Sequence, residues 1–313
     1  MKIVFMGTSE FSIPTLEKLL STRHEILSVY TKKPQKSDRN YKLQNTPIHN
    51  FALKNNLRVF TPGTFKNGKN LEDLRTLKPD LVVVVAYGLI LTKELLKIPR
   101  YGCLNIHPSL LPRWRGCAPI ERCLMSDDEE TGVCVMKIDE GLDSGDVIFT
   151  EKTPINKNTD TKYLHETLAD IGANLLLKAV NIIEKNGYID GIKQNDSLAT
   201  FTEKITNADA LIDWRRDSVV KIHKKIMALG DSVGVFTKHE GNIIKILKSD
   251  YIQQATITNA VCTVVDKYFS IQCMDGILRP LVVQREGKKA MNINDFVNGY
   301  RVQVNTFISS PTN

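Results

Sequence analysis

The run Leu81-Val82-Val83-Val84-Val85-Ala86 is apolar throughout and mostly β-branched, with no polar residue alternating through it. A strand with one wet face alternates apolar and polar side chains. A run without alternation suits a central strand of a parallel sheet, covered on both faces. Parallel neighbours can be joined only by crossovers, which are usually helical. The flanking sequence supplies that company. Strand-like segments at 2–6, 26–30, 58–60 and 103–107 alternate with helical ones at 12–21, 47–55, 71–77 and 92–97. Pro14 falls in the first turn of its helix, where proline is tolerated. Two more strands are expected at 133–138 and 147–150, followed by a long amphipathic helix at 161–185. That helix carries Leu164, Leu168, Ile171, Leu175, Ala179 and Ile182 on one face and stops at Asn186-Gly187. The order predicts an α/β domain with a Rossmann-like open, mostly parallel sheet, helices on both faces and a site at the carboxyl ends of the strands.

Past residue 188 the apolar period fades, and 188–206 reads as a linker between a first domain, 1–187, and a second, 207–313. The second has a different grammar. One helix at 218–229 precedes short β-rich segments punctuated by Glu240-Gly241, Asp275-Gly276 and Glu286-Gly287. Asp275-Gly276 between 269–273 and 277–283 is a hairpin signal. Several short strands in about a hundred residues point to a small OB-like β-barrel.

Composition narrows the classes. The chain's 313 residues, 42% hydrophobic and 25% charged, suit a soluble globular protein of two domains. The apolar start is too short for a signal peptide, and 81–86 is far below the roughly 20 residues that span a bilayer. Cys103, Cys117, Cys123, Cys134, Cys262 and Cys273 form no C-x-x-C pair. That argues against a zinc site or a disulfide framework and for free thiols in a reducing cytoplasm. A formal net charge of +7 permits a polyanionic partner without requiring one.

Five segments are candidates for chemistry. Met6-Gly7-Thr8-Ser9-Glu10-Phe11 joins a strand to a helix, but G-x-G-x-x-G needs further glycines and only Gly7 is present, so a plain turn is the better reading. In Asn105-Ile106-His107-Pro108, residues 105 and 107 share a strand face, and Pro108 ends the strand at the sheet's carboxyl edge. An amide and an imidazole placed there can hydrogen-bond a carbonyl oxygen as it gains charge. On these two residues alone, an Asn ending a strand and a His packed at a turn is the simpler account. The segment Ser109 to Ile120 shifts the balance. It holds Pro112, Pro119, Gly116, Arg113, Arg115 and Trp114 in one structured connection whose leucines could line a pocket for a flat ligand. Asp143 lies between Gly141 and Gly145, where a carboxylate could support an imidazolium. Asp146 is close by, and the local sequence does not choose between them. Finally, 31–42 is long for a strand–helix connection and carries Lys32, Lys33, Lys36, Arg39 and Lys42 against one acid, Asp38. Phosphate contact and a solvated surface loop both fit it.

Together these segments resemble the methionyl-tRNA formyltransferases almost end to end. The resemblance is carried by Ile3-Val4-Phe5-Met6-Gly7-Thr8, by Asn105-Ile106-His107-Pro108-Ser109-Leu110-Leu111-Pro112-Arg113-Trp114-Arg115-Gly116 and by Gly141-Leu142-Asp143-Ser144-Gly145-Asp146. Past the linker it is carried by Asp209-Ala210-Leu211-Ile212-Asp213-Trp214. The N-x-H-x-S-L-L-P-x-x-R-G pattern is shared by folate-dependent formyl transferases acting on other amines. The D-A-x-I-D-W segment and the basic loop point to the tRNA enzymes. The resemblance implies transfer of a formyl group from 10-formyltetrahydrofolate to the α-amine of initiator methionyl-tRNA, with no metal. It makes Asn105, His107 and Asp143 catalytic, selecting Asp143 over Asp146. It sets Ser109, Leu110, Leu111 and Pro112 against the tetrahydrofolate. It brings Arg39 and Lys42 to the tRNA acceptor end and gives the barrel a share of that contact. A monomer suits a protein that wraps an acceptor stem. Two departures stand out: Cys117 occupies a position that is usually alanine, and the basic loop lacks the family's glycines.

Overall fold

The computed structural model describes residues 1–37, 42–66, 68–254 and 259–310. It divides into two compact units, one of Met1–Pro119, Glu130–Pro154 and His165–Thr202, the other of Ile120–Glu129, Ile155–Leu164 and Glu203–Asn313.

The first unit holds β1 (Lys2–Gly7), α1 (Ile13–Leu20), β2 (Glu25–Tyr30), β3 (Gln35–Ser37), β4 (Lys42–Gln44), α2 (Pro47–Lys54), β5 (Val59–Phe60), α3 (Gly68–Leu77), β6 (Leu81–Val85), α4 (Lys93–Leu96) and β7 (Cys103–His107). It continues with β8 (Arg115–Gly116), and α5 (Pro119–Met125) leaves it for the second unit. Then come β9 (Glu130–Lys137), β10 (Val147–Pro154), the greater part of α6 (Thr161–Asn186) and β11 (Phe201–Thr202). Among the described residues the main sheet has seven strands in the order β10-β9-β7-β6-β1-β2-β5. Strands β7, β6, β1, β2 and β5 run parallel; β9 is antiparallel to β7, and β10, antiparallel to β9, returns to the common direction. The chain builds outward from β1 in one direction and restarts at β6 in the other, so the switch of strand order lies between β1 and β6. Sheets of this kind open a crevice beyond their carboxyl ends at such a switch.

The unbroken apolar run becomes β6, with all five of its residues buried. Each such side chain contributes about 1.5–3 kcal/mol by leaving water, enough to make this strand the keel of the unit. Helix α6 presses close beneath the site strand at Gly172, where a Cβ would come within 2.6 Å of Ile106 Cγ2 and 3.1 Å of a Val133 methyl. Any larger residue would push the helix off β7 and β9.

Two stretches differ from expectation. Within the polar connection after β2, β3 pairs antiparallel with β4, so its two arms satisfy each other's backbone groups. The polar stretch 188–202 contains β11, which pairs in parallel with β8, and Ile192 bridges to Val147. Apolar periodicity is blind to both, because the bonds are main-chain and the paired segments are too short to repeat.

The second unit contains α7 (Val219–Leu229), β12 (Val235–His239), β13 (Asn242–Gln253), β14 (Ile271–Cys273), β15 (Gly276–Arg285), β16 (Met291–Asn292), α8 (Ile293–Gly299) and β17 (Ile308–Ser309). Its antiparallel sheet runs β14-β15-β13-β12-β17. Residues 262–264 close it, because Cys262 N donates to Gln272 O beside β14 and Ile308 N donates to Cys262 O beside β17, both at 2.8 Å. Closure removes free edges and makes the OB-like barrel. The hairpin turn is Met274-Asp275, so Gly276 is the first residue of β15, held there by the main chain of Ile252. The Asp275 carboxylate instead caps α7, accepting from Val219 N at 2.7 Å.

Two buried histidines pin this unit. His223 lies between Ser249 Oγ at 2.9 Å and Lys157 O at 2.8 Å, and His239 lies between Tyr300 Oη and Thr306 Oγ1, both at 2.7 Å. Burial pushes both imidazoles below their ordinary value. The unfolded chain therefore takes up protons that the folded one refuses. Stability is complete above the ordinary histidine value of about 6.5 and declines as pH falls below it. The urea midpoint should fall between pH 7.5 and pH 5, and His223→Gln should flatten that fall. A midpoint constant across the range would contradict the assignment.

Candidate active site

The site is built where β7 ends. Asn105 and His107 lie opposite Met136 and Cys134 of β9, with Pro108 following. The chain turns at once: Ser109 N donates to His107 O at 2.9 Å and Ser109 Oγ to Arg113 O at 2.7 Å. Ser109 is fully buried, so its hydroxyl shapes the turn. Leu110 and Leu111 are half-buried, and Leu110 reaches across β9 at Gly132. Trp114 sits at φ +65°, a left-handed conformation that turns its carbonyl back toward the strand. That carbonyl lies 2.9 Å from His107 Nε2. The guanidinium of Arg113 covers the Trp114 ring at 4.3 Å.

The other wall is the loop between β9 and β10. Asp139 Oδ1 accepts from Gly141 N at 3.0 Å and Ser144 Oγ at 2.8 Å, which folds the loop on itself. Gly145 packs its Cα against the Lys137 carbonyl, leaving no room for a Cβ. Asp143 is thereby thrown into the left-handed region at φ +49°, which aspartate tolerates better than most residues. Its Oδ2 accepts from Gly116 N at 2.8 Å and stands 3.5 Å from His107 Nδ1. The Asp146 carbonyl accepts from Lys137 N at 2.9 Å, and its Cβ lies against Gly191.

His107 is thus 4% exposed with an acceptor at each nitrogen. A carbonyl can only accept, so Nε2 carries a proton. A neutral ring would then aim the Nδ1 lone pair at a carboxylate, whereas an imidazolium offers an N–H to both sides. Asn105 is half-buried and two residues back on the same strand face, and its amide makes no hydrogen bond with the described residues. The constellation combines an uncommitted amide, an imidazole and a carboxylate behind it. It can bind a developing oxyanion and move a proton.

Of the other residues singled out from sequence, Arg39 lies outside the described residues, and Lys42 is described only as the first residue of β4. Cys117 is exposed, with its backbone tied in both directions to Thr202. A cavity of about 650 Å³ in the second unit is lined by Leu211, Ile212, Phe236, Lys245 and Arg285 among others, and contains none of the trio.

Comparison with known proteins gives the family. The formyl transferase family model matches residues 1–180, and that of the formyl transferase C-terminal domain matches 204–301. A methionyl-tRNA formyltransferase of Ehrlichia chaffeensis is 42% identical over 305 residues, covering 96% of this chain and 98% of that protein. One from Wolbachia is 41% identical over 301 residues, covering 96% and 97%. The chain belongs to the methionyl-tRNA formyltransferase family. Among solved structures, an N-formyltransferase from Helicobacter canadensis in complex with folinic acid and dTDP-3-aminofucose superposes with a TM-score of 0.68. It is 23% identical over 90% of this chain and 99% of that one, a likeness of fold.

Sequence reading missed several parts of this candidate site. The Trp114 carbonyl and the Gly116 N–H are main-chain groups and leave no residue-type signal. Arg115 is 4% exposed and bonds Gln194 Oε1 through Nε at 3.1 Å and Nη2 at 2.9 Å. The one available hint was a charge inside a Pro- and Gly-rich turn. The trio gives a direct comparison: Asp143→Ala should lower turnover by about 10²- to 10⁴-fold, the range for a lost acid–base group, while Asp146→Ala stays close to wild type. Equal losses in the two purified, folded variants would undo the assignment of Asp143.

Proposed function

We propose that this chain transfers the formyl group of 10-formyltetrahydrofolate to the α-amino group of initiator methionyl-tRNA, with Asn105, His107 and Asp143 as the catalytic residues. The observation that carries the chemistry is the buried His107 ring held between the Trp114 carbonyl and the Asp143 carboxylate, with the uncommitted Asn105 amide on the same strand face. Family membership carries the acceptor. Ser109 to Pro112 form the wall that meets the tetrahydrofolate, through main chain and leucine side chains.

The neutral α-amine attacks the formyl carbon, a C–N bond forms, and the carbonyl electron pair moves to oxygen. Asn105 donates to that oxyanion. The His107 imidazolium joins it by exchanging the Trp114 carbonyl for the new negative charge. The uncommitted Asn105 amide needs no reorganisation to meet that charge, whereas His107 changes one partner for another. Collapse breaks the bond from the formyl carbon to the folate nitrogen, which leaves with the electron pair and takes up a proton. The attacking amine gives one up, so the proton count balances. Asp143 keeps the imidazole charged and offers a route between the two nitrogens.

The basic connection with Arg39 and Lys42 approaches the acceptor end of the tRNA. The barrel unit adds cationic side chains such as Lys288 and Lys289, which are exposed in the turn after β15. Residues 1–187 then form the catalytic part and 207–313 the tRNA-binding part. None of the six cysteines forms a disulfide, which suits a reducing cytoplasm. The protein acts there as a monomer.

Labelled formyl donor offered with methionyl-tRNA, an amino-sugar nucleotide, or neither should mark the tRNA alone. Label on the sugar, or free formate without acceptor, would overturn the acceptor assignment. Arg39→Ala should raise KM for tRNA several-fold more than KM for folate; an equal rise in both would remove the loop from the tRNA contact.

A further inference from the structure

The polar stretch after α6 lies across both walls of the site. Ile192 exchanges two main-chain bonds with Val147, at 2.9 and 2.8 Å. Thr200 accepts Arg115 N at its carbonyl and Trp114 N at its Oγ1, both at 2.8 Å. Thr202 O accepts Cys117 N at 3.2 Å. Between these fixed points the Gln194 side chain is 8% exposed and has both ends saturated. Its amide nitrogen donates to Asp143 O and Gly145 O, each at 2.8 Å. Its oxygen accepts from both Arg115 nitrogens, and Arg115 Nη2 also meets Asp196 Oδ1 at 2.7 Å. This settles the orientation of the amide: turned over, it would set N–H against guanidinium and oxygen against two carbonyls.

We propose that Gln194 is a positioning residue for formyl transfer, clamping the backbone of Asp143 so that its carboxylate faces His107, with Arg115 holding the clamp in register. This rests on the reading of Asp143 given above. Gln194 joins the carbonyls on either side of Ser144, and an aspartate at φ +49° has no strong local preference for that conformation. Two bonds from one buried amide hold the loop where the Asp143 carboxylate reaches both Gly116 N and the His107 ring. Glutamate has the same shape as glutamine and would keep the Arg115 contact, but it would press oxygen against both carbonyls.

The test is a cycle of Gln194→Leu and Gln194→Glu in wild-type and Asp143→Ala backgrounds, with kcat, both KM values and the pH profile of kcat measured. In the wild-type background each substitution should lower kcat by roughly 10- to 100-fold, the scale of a 1 Å misplacement. Both KM values should change little, and the pH profile of kcat should move. In the Asp143→Ala background the same substitutions should cost almost nothing further, because a residue acting through Asp143 has nothing left to position. Equal losses in both backgrounds would reduce Gln194 to a general structural role. Normal kcat in Gln194→Leu and Gln194→Glu, with Asp143→Ala crippled, would overturn the clamp and leave the reading of the site standing. Near-normal kcat in Asp143→Ala would sink both.

Discussion

An imidazole buried at the end of a sheet must find a partner for each ring nitrogen, and two loops of the first unit are bent to supply them. His107 is 4% exposed, so protein groups supply both partners. Trp114 adopts a left-handed backbone to bring its carbonyl to Nε2, and Asp143 adopts another to bring its carboxylate to Nδ1. Conformations of this kind cost of order 1–3 kcal/mol each when the residue is not glycine. They persist because neighbouring bonds over-determine them. Ser109 closes the first loop on itself, Asp139 closes the second, and the Gly116 N–H ties one to the other through Asp143.

The consequence for chemistry is preorganisation. The sheet delivers Asn105 and His107 on a rigid strand flanked on both sides, so neither depends on loop motion for its place. Only Asp143 rides on a loop, and that loop is the one held from behind by Gln194 and Arg115. A surface ion pair, Lys93 with Glu140 at 2.7 Å, adds a weaker tie at the rim. Both partners are more than half exposed, and exposed pairs contribute little. The buried amide and guanidinium do the holding.

Much of this was legible in residue order. Leu81 to Val85 suited an inner strand, and the alternation around it follows from having to cross back to parallel neighbours. The dense segment from Asn105 to Gly116 announced a site because its residue types have no cheaper reason to occur together at a strand's end. The barrel was visible in the spacing of its turn residues, although Asp275-Gly276 misplaced the hairpin by one residue. A Gly in such a pair can serve the turn or a close main-chain approach, and here Ile252 decided the second. The short strands β3, β4, β8 and β11 were not visible, since main-chain pairing over two or three residues leaves no periodic trace.

Residue order by itself determined the architecture and the kinds of side chain at the site, because burial patterns and strand-ending prolines are local and repeat along the chain. It left Asp143 and Asp146 open until family likeness chose between them. It also gave no reason to look at Gln194, which lies 51 residues from Asp143 in sequence. Tertiary structure decided both matters. Which carboxylate meets an imidazole, and which amide holds it there, depends on main-chain groups from distant segments converging within about 3 Å, and a linear sequence records no such distance.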